Sequence, residues 1–201
     1  MLRIALIMMA CLFVISSCAT YQPKNPQNLC QIFRGNTDWY EDAVDANEKW
    51  GTPIQVMMAI MYQESRFVSD AKPKRNWFLF IPLPRRSSAY GYAQAQNPAW
   101  NDYRKSTGKS GADRDDFDDA IDFIGWYTNG TQRQLKISKW DAYNQYLAYH
   151  EGRGGFKRKT YRKKEWLLGV AKNVELNAST YGAQLRSCKK ELDDKIDGWF
   201  F

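Results

Sequence analysis

Apolar residues recur along most of this chain at intervals of three and four, the spacing that places side chains on one face of an α-helix. From Thr37 the pattern runs through Trp39, Ala43, Val44 and Trp50, with Asp38 and Glu41 as a capping pair and Gly51 as the stop. Thr52 as N-cap and Pro53 in the first turn open a second helix. Its apolar residues, Ile54, Val56, Met57, Met58, Ile60 and Met61, cover too much of the circumference for a surface helix, so it is expected inside the core. The stretch NPAWNDYRKSTG predicts a short helix, and Asp115 to about Gln132 a longer one through Phe117, Ala120, Ile121 and Ile124. Ser138 is expected to cap a helix carrying KWDAYNQYLAYHEG as far as Gly152. A last helix is expected from about Lys164 to Cys188, with Trp166, Leu167, Val170, Val174, Ala178, Tyr181 and Leu185 as its apolar face. Two-residue alternation is scarce, and its one candidate, NWFLFIPLP, contains prolines that limit it to an edge or a hairpin. The expected class is mainly α, with room for a short β-hairpin or flap.

Composition narrows this without redirecting it. With 44% hydrophobic and 15% aromatic residues, the 201-residue chain can bury a core, which argues against wholesale disorder and suits one domain plus an extension. The formal net charge of +7 points to an acidic partner: nucleic acid, anionic lipid or an anionic cell-wall polymer. His150 is the only histidine, so a multi-histidine metal site is excluded, and a Ser-His-Asp triad would have to be built around that residue.

The start of the chain bears on compartment. Met1-Leu2-Arg3 is a short positive start, Ile4 to Ile15 is apolar, and Ser16-Ser17 are small, the composition of a signal peptide over residues 1–17. The apolar run is too short to span a membrane comfortably, which takes roughly 20 residues. Ile15-Ser16-Ser17-Cys18 resembles the lipobox of bacterial lipoproteins, which implies cleavage before Cys18 and lipidation of that cysteine; ordinary secretion with an incidental cysteine is the alternative. Ala19 in the next position implies, by the same resemblance, an outer-membrane lipoprotein facing the periplasm. Residues 19–28 are polar and carry Pro23 and Pro26, as a tether would. The expected division is leader 1–17, lipidated cysteine and tether 18–35, and a folded domain 36–201. Once Cys11 leaves with the leader and Cys18 is lipidated, Cys30 and Cys188 remain, either as a disulfide or as two buried thiols.

The chemistry is sought at Glu64, where the apolar helix ends in QESRF. As a structural residue it would pair with an arginine such as Arg66. As a functional one it would be held protonated, because apolar surroundings and a helix C-terminus both disfavour its charge. Two further stretches bear on the choice, AYGYAQAQNP from Ala89 and YLAYHEGRGGF from Tyr146. In order and rough spacing the three resemble the lytic transglycosylase family with the soluble-transglycosylase, goose-lysozyme-like fold. That family shows Glu-Ser at a helix end, then Gly-Leu-Met-Gln, then Ala-Tyr-Asn-Ala-Gly. Glu64-Ser65 resembles the first motif. Gly91-Tyr92-Ala93-Gln94 resembles the second with Tyr-Ala for Leu-Met. Ala148-Tyr149-His150-Glu151-Gly152 resembles the third with His-Glu for Asn-Ala. The resemblance covers about residues 50–156. Residues 72–88 lengthen the gap between the first two motifs and form an apparent insert, with an apolar run from Trp77 to Ile81 among basic residues.

The resemblance implies cleavage of the β-1,4 bond between N-acetylmuramic acid and N-acetylglucosamine in peptidoglycan, with Glu64 as acid then base and no cofactor. It implies that Tyr149 holds the Glu64 carboxyl. Ser65 and Gln94 would orient that carboxyl or the sugar, Gly91 would admit backbone to the glycan, and Tyr92, Tyr90 and Trp100 would either stack on sugar rings or belong to the core. His150 falls at the ligand-holding asparagine position, as a substrate-contacting or plain wall residue. The rival readings are a non-catalytic peptidoglycan-binding lipoprotein and a hydrolase with a second acid such as Asp102 or Asp113. Nucleic acid is not expected as a partner of a lipid-anchored periplasmic protein.

Overall fold

The computed structural model describes residues 20–75, 77–85 and 87–198, with 77, 78, 81 and 82 as backbone only. The leader and Cys18 lie outside the described residues. Among the described residues there are seven α-helices: α1 (Leu29–Gly35), α2 (Asp38–Trp50), α3 (Ile54–Ser65), α4 (Asn97–Thr107), α5 (Phe117–Leu135), α6 (Ala142–Lys157) and α7 (Glu165–Asp197). Two-residue strands β1 (Trp77–Phe78) and β2 (Ile81–Pro82) pair antiparallel between α3 and α4.

The apolar helix α3 is central, and packs against α7, α5, α2 and α6. Seven of its residues from Ile54 to Met61 are buried, as is Ser65, so nearly every face meets protein. Full burial of each such aliphatic side chain is worth about 1.5–3 kcal/mol relative to exposure, which outweighs the weak helix preference of Ile and Val. Thr52 is not the cap. Pro53 occupies that position, and the buried Thr52 hydroxyl bonds Thr128 Oγ1 at 2.7 Å, pinning the start of α3 to α5. At the other end Arg66 and Phe67 both adopt left-handed backbone (φ 53° and 62°), turning the chain away directly after Glu64-Ser65. Arg66 is exposed and lies over the Tyr62 ring.

The domain begins earlier than residue 36. In α1, Leu29, Ile32 and Phe33 are fully buried, and a disulfide joins Cys30 to Cys188 of α7 across a Cα–Cα distance of 6.0 Å. Tyr21 packs edge-on against Trp39 and donates to the Ile32 carbonyl at 3.0 Å, so even the proline-bearing segment before α1 lies against the fold. A loop of this length carries a chain-entropy stabilisation of roughly 4–5 kcal/mol when closed.

Trp39 is the hub of an aromatic cluster, stacked on Phe117 at 4.0 Å and edge-on to Tyr92 at 5.5 Å. Tyr92 is therefore core, 1% exposed, and not a surface for sugar; Trp100, at 4%, is core as well. Buried Asp122 of α5 accepts from Trp50 Nε1 (2.7 Å), Tyr103 Oη (2.6 Å) and Lys49 Nζ (2.9 Å), tying α2 and α4 to α5. Burial pushes its carboxyl upward, but these donors together hold it below the usual range.

Candidate active site

Glu64 lines a cleft of about 510 Å³. The rest of the lining comes from the segment 87–99, from Phe123 and Tyr127 of α5, and from Tyr149 to Gly152 of α6. The cleft is positioned by three local features: the left-handed turn after α3, the turn at Gly91, and a break in α6. At Gly152 (φ 71°, ψ 155°) the backbone takes a conformation open almost only to glycine, and the helix kinks there, directly beside the cleft.

Burial is the main influence on Glu64 and raises its pKa to about 7; an interaction with the Tyr146 hydroxyl opposes part of the rise. No cation contributes, so the Arg66 pairing considered from sequence does not form. Of the three tyrosines of α6, Tyr149 is the one the family resemblance sets on the Glu64 carboxyl, and it is not the one whose hydroxyl acts there. Tyr146, 4% exposed, is the one whose hydroxyl acts on Glu64. Tyr149 lines the cleft, but its hydroxyl donates to the Ala93 carbonyl at 2.6 Å and so joins α6 to the 91–95 turn. Burial first, then the nearby Glu64 charge, push the Tyr149 phenol well above its usual range, so it remains a donor. Tyr146 was not singled out from sequence, and its i,i+3 spacing from Tyr149 is the signal that both face the same side.

The other expected site residues divide. Gln94 lines the cleft beside Glu64, with its amide nitrogen donating to the carbonyls of Ala71 and Gly91 at 2.8 Å each. Ser65 donates back to Met61 O at 3.4 Å within its own helix and does not orient Glu64. Gly91 (φ 75°) serves the fold: a Cβ there would stand 1.9 Å from the Arg114 carbonyl oxygen, so protein backbone, not glycan, makes the close approach. Tyr90 is half-buried, and its hydroxyl donates to Asp115 at 2.8 Å. His150 lines the cleft.

Glu151 is the second carboxylate in the lining and was not singled out from sequence. Burial favours its neutral form, but donors from Lys164 (2.6 Å), Thr160 and His150 win and hold it at about 2. Asp102 and Asp113 are not in the lining. Among the described residues no three His, Cys, Asp or Glu side chains gather as metal ligands would. The cleft thus holds one carboxylic acid poised near neutrality and one fixed carboxylate.

A family profile described as Transglycosylase SLT domain matches residues 6–188. No curated protein and no solved structure matches the chain. With the mainly α, lysozyme-like fold and this match over most of its length, the chain belongs to the Transglycosylase SLT domain family.

Proposed function

We propose that the protein is a peptidoglycan lytic transglycosylase that cleaves the β-1,4 bond between N-acetylmuramic acid and N-acetylglucosamine, leaving a 1,6-anhydromuramoyl end. The observation that carries this reading is Glu64: an acid in the cleft lining whose pKa of about 7 leaves both protonation states accessible at neutral pH. In the first half-reaction Glu64 donates its proton to the glycosidic oxygen, and the 2-acetamido group of the muramoyl residue attacks its own anomeric carbon. In the second, Glu64 takes the proton of the C6 hydroxyl, which closes onto C1 and displaces the acetamido oxygen. The substrate supplies the nucleophile that ordinary glycosidases take from a second carboxylate. Glu151 is a poor candidate for that part, since Lys164, Thr160 and His150 already occupy its oxygens. Tyr149 and Gln94, tied by hydrogen bonds to the 91–95 turn and the Ala71 carbonyl, would hold the cleft around the acid, and His150, in its lining, would contact the glycan. The lipobox resemblance at Cys18 supports an outer-membrane anchor facing the periplasm.

Glu64→Gln keeps size and polarity but cannot move a proton. Release of muropeptides from purified sacculi should fall by at least about 10²–10⁴-fold while sacculus binding persists. Wild-type digests should carry 1,6-anhydromuramoyl ends. Reducing muramoyl ends alone would identify a hydrolase, and undetectable wild-type lysis with retained binding a non-catalytic wall protein.

A further inference from the structure

One end of the cleft is built from residues that the acid chemistry leaves unused. His150, Glu151 and Gly152 line it, and Trp166 stands just beyond them at the start of α7. The spacing of α7 assigns Trp166 to the buried face, yet its indole is 59% exposed. Its ring meets the His150 imidazole edge-on, 5.3 Å between centroids with planes at 80°. His150 lies 6.4 Å from the Tyr146 ring, and Tyr146 is the residue that acts on Glu64. A row of ring contacts therefore leads from the acid to an open indole.

This wall is braced from behind. His150 Nδ1 is 3.1 Å from Glu151 Oε1, whose carboxylate also accepts from Lys164 and Thr160 and is 5% exposed. A carboxylate facing Nδ1 keeps the ring proton there and leaves Nε2 as an acceptor in the neutral imidazole. Lys164 offsets the Glu151 charge, so the cluster contributes orientation more than net charge. A fixed polar group beside an open aromatic face matches the two-sided chemistry of a pyranose, with apolar C–H faces and hydroxyl edges.

We propose that Trp166 and His150 form a sugar-binding subsite at this end of the cleft: a pyranose ring of the glycan stacks on the Trp166 indole and hydrogen-bonds His150, with Glu151 and Lys164 as positioning residues. The proposal rests on reading the cleft as a glycan-cleaving site, and its test separates the two. Glu64→Gln protein, which holds glycan without turnover, is titrated calorimetrically with soluble N-acetylglucosamine oligomers. Adding Trp166→Ala should weaken binding roughly tenfold, the scale of one aromatic contact, with an unchanged melting temperature because the indole is mostly exposed. In the otherwise wild-type enzyme, Glu151→Gln should raise KM with kcat largely kept, since it loosens His150 without touching the acid. Trp140, 71% exposed just before α6 and outside the cleft lining, is the control, and Trp140→Ala should change neither quantity. Unchanged affinity in Trp166→Ala, or an equal loss in Trp140→Ala, overturns the subsite. Cleavage to anhydromuramoyl ends with Trp166-independent affinity leaves only the cleavage reading. Trp166-dependent binding without cleavage leaves only the subsite, and no binding by any form overturns the subsite, and the cleavage reading too if sacculi also yield no anhydromuramoyl ends.

Discussion

The Tyr146 hydroxyl is the one group that pulls the Glu64 pKa down against burial. Removing it should therefore move the acid further up. As the general acid, Glu64 must be protonated in the free enzyme, so kcat/KM falls as pH rises through its pKa of about 7. In Tyr146→Phe that limb should shift to higher pH by up to about one unit, with peak activity reduced by misorientation. Tyr149→Phe should lower activity without moving the limb, because its hydroxyl is spent on Ala93. A pH–rate profile on soluble glycan checks both, and an unmoved limb in Tyr146→Phe would refute the assignment. The linkage has a second sign to it. A carboxyl raised in the folded state lends its stability below its unfolded pKa of roughly 4.3 and loses it as pH climbs through about 7, so the same variant should also be less stable above neutrality. At this scale the place of Glu64 at the end of a buried helix was legible in the apolar run from Ile54 to Met61. The surroundings of Gly91 were not legible, because residue type alone cannot separate a glycine that admits a ligand from one that admits Arg114. Nor can it separate an aromatic that stacks on sugar from one that stacks within the Trp39 cluster.

Helices were legible wherever apolar periodicity was long, and their ends were not. Residues around α6 show why: Ser138 has the right chemistry for a cap, but Asp141 takes the position and accepts from Asn144 N at 2.9 Å, leaving Ser138 to a preceding turn. The last helix continues past Cys188 to Asp197 because Leu192 is buried and pairs such as Lys189–Asp193 and Lys190–Asp194 support the outer face. The short helix α1 was hidden because seven residues carry too little periodicity to stand out from polar flanks. The insert is a different case, expected as a hairpin or flap in spite of its apolar run, and its tip is open: Leu79 is 78% and Phe80 94% exposed, in a turn with Leu79 at φ 55°. Its base leads into Ser87 and Ala89 of the cleft wall. Replacing residues 75–85 with a short Gly-Ser loop should leave the melting temperature within the range set by about 0.5 kcal/mol, yet change turnover of sacculi. Loss of cooperative unfolding in that variant would mean that the hairpin belongs to the core.

For the whole molecule, the packing of the N-terminal segment changes what an anchor would do. A tether of residues 18–35 would give the domain free reach. In the structure, Tyr21 is already held against Trp39 and Ile32, and α1 is fastened to α7 by the disulfide. If Cys18 carries lipid, three chain steps separate it from Tyr21, which at full extension is roughly 10 Å. The domain would then ride close to the bilayer, and the basic excess that remains after the leader and its Arg3 are removed would favour that position through attraction to anionic headgroups or wall polymer. The glycan within reach would be the layer nearest the membrane. A flexible Gly-Ser spacer inserted between Thr20 and Tyr21, with Cys18 retained, should widen that layer without altering the enzyme. Turnover of soluble glycan by the purified domain should be unchanged, while release of anhydromuramoyl ends in cells should rise at equal protein level. The accompanying Cys18→Ala variant should leave the membrane fraction and appear in the soluble periplasmic one. If Cys18→Ala stays with the membrane, the anchor lies elsewhere. If the spacer leaves cellular release unchanged while Cys18→Ala behaves as expected, the short connection does not limit access to the wall.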